Sequence, residues 1–204
     1  MPVIGILRRM PEEDIMPILK AYREAGFTTI EITIDTVNSE RFIADAIKEF
    51  GETLNIGAGT VLDKKDLDTS IKAGAQFVVT PMVNEDLITE CVKMDVPVFP
   101  GAYTPTEIFY AWKSGASMVK VFPAGEAGMD YIRALKGPLK DIRLLPTGGI
   151  SINNANDYFR AGAEGLGVST GLFKPDLIRK KDWEKLREHL LLFHQAIQSR
   201  EPVS

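Results

Sequence analysis

The chain has 204 residues, 45% hydrophobic and 25% charged, and its 24 Lys and Arg against 28 Asp and Glu leave a net charge of -4. That is enough length and apolar content for one domain with a real core. It excludes a disordered chain, and with no concentrated basic field it excludes a general nucleic-acid binder. Short apolar, β-branched runs then recur along the chain, at 3–7, 29–34, 55–61, 77–80, 96–100, 118–122, 143–146 and 165–169. Each reads as a strand. The first is too short for a signal-peptide core, and its arginines, Arg8 and Arg9, follow it instead of preceding it. No later stretch approaches the roughly 20 apolar residues of a membrane span. The lone cysteine, Cys91, allows no internal disulfide and fits a reducing compartment. A cytoplasmic protein with no membrane and no nucleic-acid partner is expected.

Between the strands, apolar residues recur at helical spacing: Ile15, Ile18, Leu19 and Tyr22, then Phe42, Ile43, Ala46 and Ile47, then Leu87, Ile88, Cys91 and Val92. A final helix is expected over about 182–198, with Leu186, Leu190 and Phe193 turned onto the rest of the chain. Strands alternating with helices are parallel strands joined by crossovers. Helix stops form a fourfold echo. Ala25-Gly26-Phe27, Ala73-Gly74-Ala75, Ser114-Gly115-Ala116 and Ala161-Gly162-Ala163 each precede a strand. They lie roughly 45 residues, or two βα units, apart. Eight such units favour an α/β (β/α)8 TIM barrel, with residues 1–204 as a single domain, over a doubly wound open sheet.

Strands buried on both faces should be apolar, so their polar members are informative. Lys120, in Met118-Val119-Lys120-Val121-Phe122, is an ammonium in a run otherwise fit only for burial. Desolvation lowers its pKa and makes the amine a nucleophile toward a carbonyl carbon, giving a Schiff base. The competing reading is a structural lysine at a strand end. Glu31, in Ile30-Glu31-Ile32-Thr33, is a carboxylate in the same situation, fit to move protons near neutrality. An inert buried Glu31–Lys120 ion pair is the alternative.

Glycine-rich segments close three strands: Gly57-Ala58-Gly59-Thr60, Pro146-Thr147-Gly148-Gly149, and Gly165-Leu166-Gly167-Val168-Ser169. The last two follow the seventh and eighth strands, where this fold recurrently holds phosphate on backbone N–H groups. Arg8, at the end of the first strand, would point into the barrel mouth toward an anion, and alternation would point Arg9 the other way. No cluster of His, Cys and carboxylate has metal-ligand spacing, so neither a metal nor a cofactor is expected.

Taken in order, Ile30-Glu31-Ile32-Thr33, Gly57-Ala58-Gly59-Thr60-Val61, Lys120-Val121-Phe122-Pro123-Ala124 and Pro146-Thr147-Gly148-Gly149-Ile150-Ser151 resemble the 2-keto-3-deoxy-6-phosphogluconate aldolase and 4-hydroxy-2-oxoglutarate aldolase family. These are small metal-independent class I barrels. The resemblance implies that Lys120 is the Schiff-base lysine and Glu31 the general acid/base. It implies that Phe122 is the active-site aromatic, that Thr60 and Pro81 line the pyruvate end, that Thr147 is a polar pocket residue, and that Gly148, Gly149, Gly167 and Ser169 cradle phosphate. The implied substrate is a 2-keto-4-hydroxy acid, phosphorylated or not, and the implied assembly a homotrimer. Three features depart from the family: Asp35 stands where its enzymes usually carry an arginine, the last glycine-serine loop is altered, and the chain begins almost directly at the first strand. Two rivals remain open. One is another phosphate-barrel lyase or isomerase with the lysine as an electrostatic group; the other is a barrel that binds a keto acid without turning it over.

Overall fold

The structure is a computed structural model that describes residues 3–199. In chain order its elements are β1 (Val3–Leu7), α1 (Glu12–Glu24), β2 (Thr29–Thr33), α2 (Ser39–Phe50), β3 (Asn55–Gly59), α3 (Lys64–Lys72), β4 (Val78–Val79), α4 (Glu85–Lys93), β5 (Val98–Phe99) and β6 (Gly101–Ala102). Then follow α5 (Pro105–Lys113), β7 (Val119–Val121), α6 (Ala124–Lys136), β8 (Leu144–Pro146), α7 (Ala155–Arg160), β9 (Leu166–Val168), α8 (Pro175–Arg179) and α9 (Trp183–Gln198). Four helices begin where side chains satisfy their first N–H groups: Asp63 caps α3, Asn84 caps α4, Asp182 caps α9, and Thr104 with Glu107 forms a capping box on α5. The helices α1, α3, α5 and α7 end as the sequence echo requires, with Gly26, Gly74, Gly115 and Gly162 all at positive φ between 91° and 106°.

All strand pairs are parallel. One sheet runs in the order β5-β4-β3-β2-β1-β9 and the other β6-β7-β8. β5 and β6 are two halves of one stave, interrupted at Pro100, whose carbonyl still accepts from the Lys120 N–H at 2.9 Å. At the far side a bridge between Thr147 and Gly167 joins the end of β8 to β9. The ring of eight staves is thereby closed into a (β/α)8 barrel.

Alternation divides every stave between two environments. Val3, Leu7, Ile30, Ile32, Ile56, Val78, Val119 and Leu166 face the helices and belong to the large outer core. Ile4, Phe77, Val79 and Leu145 form a separate apolar layer inside the barrel, against which Phe99 and Met118 pack. Phe77 and Phe99 meet edge-on there, 5.6 Å apart. The helices are keyed to the staves by specific contacts. The fully buried Tyr22 of α1 donates to the Thr29 carbonyl at 2.8 Å and accepts from the Gly5 N–H at 3.0 Å. A Cβ at Gly5 would sit 2.8 Å from that phenolic oxygen, so only glycine admits it. Phe193 of α9 meets Phe27, which lies between α1 and β2, and His189 of α9 bonds the Gly171 carbonyl at 2.8 Å.

Candidate active site

The inward series of each stave climbs from the apolar layer to the barrel mouth in steps of two. In β7 Met118 lies in the layer, Lys120 one step above it and Phe122 at the rim. In β1 the series is Ile4, Ile6, Arg8, and in β2 Glu31 is followed by Thr33. β3 contributes only Gly57 and Gly59 to the interior, leaving room for its neighbours. A Cβ at Gly59 would meet the Glu31 carboxylate at 2.4 Å. The pairing places Ile6 opposite Glu31 and Glu31 opposite Gly57, while Lys120 lies between Gly101 and Leu145.

These inward residues surround a cavity of about 350 Å³ at the carboxyl ends of the strands, where sites in this fold form. All eleven residues singled out from the sequence line it: Lys120, Glu31, Arg8, Thr60, Pro81, Phe122, Thr147, Gly148, Gly149, Gly167 and Ser169. Ile6, Thr33, Ile150 and Thr170 line it too and were missed. Ile6 and Thr33 stand two residues from Arg8 and Glu31, so strand parity alone would have found them. Ile150 and Thr170 merely extend the two glycine-rich ends. A larger and more open hollow of about 600 Å³ lies on the outside, between α1 and α9, away from all these groups.

Glu31 and Lys120 are 2% and 8% exposed, and among the described residues neither side chain has a hydrogen bond or an ion pair. The tight ion pair considered above is not formed. Burial pushes the Glu31 carboxyl up, while Lys120 and Arg8 pull it back. Burial also drives the Lys120 ammonium down, against Glu31 and with help from Arg8. Both shifts favour a neutral amine beside a proton-carrying carboxyl group. The ring of Phe122 lies 5.2 Å from Lys120 Nζ.

The other lining groups differ in what they have left to offer. The hydroxyl of Thr147 donates to the Leu145 carbonyl and that of Ser169 to the Ile6 carbonyl, both at 3.1 Å, which commits their protons. The hydroxyls of Thr60 and Thr170 have no partner among the described residues. Thr60 sits at φ 61° where β3 turns away, a left-handed conformation costing a β-branched residue about 1–2 kcal/mol. Gly148 and Gly149 have φ of 94° and 72°, and their loop is tied down by Asn154, which donates to the Gly149 carbonyl and accepts from the Ser151 N–H. The N–H groups of Gly148 and Gly149 take no bond within this network.

One expectation needs correction. Arg9 does not turn away from Arg8: Nε of Arg9 and both Nε and Nη2 of Arg8 converge on Oδ2 of Asp35, at 3.0, 3.2 and 3.3 Å. The reason is the backbone of Arg9, left-handed at φ 51°, which breaks strand alternation one residue past the mouth. Burial would raise the Asp35 carboxyl, but the Thr33 hydroxyl and the two guanidinium groups hold it below its usual range.

Comparison with known proteins places the chain in a family. The family model described as KDPG and KHG aldolase matches residues 1–189. The 2-dehydro-3-deoxy-6-phosphogalactonate aldolase of Escherichia coli (strain K12) is 31% identical over 199 residues, covering 97% of both chains. The 2-dehydro-3-deoxy-phosphogluconate aldolase of Pseudomonas aeruginosa is 36% identical over 190 residues, covering 91% of this chain and 83% of its own. Among solved structures, the KDPG aldolase of Legionella pneumophila, with pyruvate captured at low pH as a covalent carbinolamine intermediate, superimposes with a TM-score of 0.86 at 26% identity, over 93% of this chain and 92% of that one.

Proposed function

This chain belongs to the KDPG and KHG aldolase family and is an aldolase, a lyase, and we propose that it reversibly cleaves a phosphorylated 2-keto-3-deoxy sugar acid to pyruvate and an aldehyde through a Schiff base on Lys120. The observation that carries the assignment of Lys120 is a buried amine with no hydrogen bond or ion pair, at a cavity wall shared with an equally uncommitted carboxyl group. Neutral Lys120 Nζ attacks C2 of the keto acid, and the Glu31 carboxyl gives its proton to the departing hydroxyl, so that loss of water leaves the iminium and a Glu31 carboxylate. Glu31 accepts the proton of the C4 hydroxyl as the C3–C4 bond breaks. The bonding pair passes into the iminium, leaving an enamine and the free aldehyde. Protonation at C3 and hydrolysis return pyruvate and the amine. Arg8 receives the substrate's carboxylate, Thr60 and Pro81 line the pyruvate end, Phe122 is the aromatic beside Lys120, and Thr147 supplies polarity. The glycine-rich ends, with Gly148, Gly149, Gly167 and Ser169, take the distal phosphate on backbone N–H groups.

Two finer expectations are part of this proposal: a homotrimer, which rests on the family resemblance, and a cytoplasmic location, which rests on the sequence pattern and the lone Cys91. Among the described residues no helix is long and apolar enough to cross a membrane.

Hydride reduction in the presence of pyruvate tests the proposal. Intact-mass and peptide analysis should find one reduced pyruvyl adduct, on Lys120, and none in Lys120→Ala. A folded wild-type protein that gives no adduct, or one on a different lysine, would refute the assignment.

A further inference from the structure

The exchange of sign at position 35 has a structural consequence at the barrel rim. Asp35 follows β2, and its single oxygen Oδ2 gathers one bond from Arg9 Nε and two from Arg8, through Nε and Nη2. The neighbouring Thr36 accepts a 3.0 Å bond from the Arg9 N–H, and its hydroxyl lies 3.4 Å from that of Thr33. The loop after β1 is therefore stapled to the loop after β2 by a backbone contact and two side-chain pairs. Arg9 is held in its left-handed conformation between them. Exposed ion pairs of this kind add little to stability, and Arg8 is half exposed. Their effect is geometric: a long, freely rotating side chain is held by one edge. Arg8 still lines the cavity, and its Nη1 group has no partner among the described residues. A guanidinium pinned along its Nε–Nη2 edge offers the remaining donors to a planar anion without losing rotamer entropy on binding.

We propose that Asp35 is a positioning residue for keto-acid binding, acting through Arg8: it pins one edge of the guanidinium so that the other meets the substrate's carboxylate. This rests on the reading that a keto acid condenses with Lys120. Position 35 thus contributes to anion recognition although its own charge opposes an anion. The clasp turns two arginines and one carboxylate into a net positive rim with a fixed geometry.

The test is hydride trapping of pyruvate on the full chain, measuring the pyruvate concentration for half-maximal trapping and the trapping rate at saturation. Asp35→Asn should raise the half-maximal concentration roughly tenfold, as expected when a charge-assisted hydrogen bond loses its alignment. The saturated rate and the thermal midpoint should stay near wild type. Asp35→Glu, which keeps a carboxylate, should recover most of the loss. In an Arg8→Ala background, Asp35→Asn should have no further effect, because the residue through which it acts is gone. An unchanged or lowered half-maximal concentration in Asp35→Asn would overturn the inference, as would an equal effect with and without Arg8. If wild type itself traps no pyruvate, the underlying reading fails instead, so the two failures are distinguishable.

Discussion

The bare inner face of β3 is the most exacting test of the Glu31 assignment. Gly59 → Ala adds one carbon that would lie 2.4 Å from Glu31 Oε1 and 2.7 Å from its Cδ, whereas ordinary contact begins at 3.4 Å. The carboxylate must therefore retreat by about 1 Å, a misplacement that in a preorganised site lowers turnover roughly 100-fold, or about 2.7 kcal/mol of barrier. Gly59 is not among the positive-φ glycines, so alanine meets no backbone strain there. Gly57→Ala is the control. Its Cβ would strike the Phe77 ring at 2.4 Å, overpacking the apolar layer at a stability cost of about 1–3 kcal/mol. Steady-state retro-aldol assays monitoring pyruvate release, paired with thermal denaturation, separate the two. The first variant should lose kcat at a nearly unchanged melting temperature, and the second should melt earlier. A folded Gly59→Ala protein with kcat within a few-fold of wild type would show that the position of the Glu31 carboxyl is immaterial to turnover.

Two further outcomes follow from the same geometry. Glu31 raises the Lys120 pKa and Arg8 lowers it, so the pH at which trapping becomes half-maximal in rate should fall in Glu31→Gln and rise in Arg8→Ala; shifts in the opposite sense would contradict the charge arrangement. Gly149 sits at φ 72°, and a Cβ there would lie 2.8 Å from Gly125 Cα, so Gly149→Ala must move its loop. It should raise KM for a phosphorylated substrate while leaving pyruvate trapping intact, and an equal effect on both would separate this loop from the phosphate.

Much of this site was legible in the sequence because a closed parallel barrel tolerates polar residues inside only where something is to be done with them. Lys120 and Glu31 betrayed themselves as charges in apolar runs, and the glycine-rich strand ends by their order after the seventh and eighth strands. What was not legible depended on single backbone conformations. Arg9 was expected to face away from Arg8 because strand alternation was carried one residue too far; a left-handed φ at that residue reversed it. The stave of β5 and β6 read as one run ending at Pro100, whereas hydrogen bonding continues past the proline. The donor roles of Thr147 and Ser169 were also invisible, because whether a hydroxyl proton is free depends on a carbonyl from another residue within reach.

The vertical order of the interior explains why an amine can be depressed here without a strongly basic neighbourhood. Below Lys120 lies a layer of Ile4, Phe77, Val79 and Leu145 with no polar group in it, so the ammonium has no solvating partner on that side. Above it the cavity opens to solvent through Arg8 and the glycine-rich loops. Glu31 limits the fall of the lysine pKa, and Arg8 limits the rise of the carboxyl pKa. Asp35 in turn balances Arg8 from the rim. The buried innermost pair is thus tuned by its neighbours yet has no hydrogen bond to break before substrate arrives. An arginine at position 35 would place a third guanidinium beside Arg8 and Arg9, and that rim would then have to be held by some other means than a shared carboxylate.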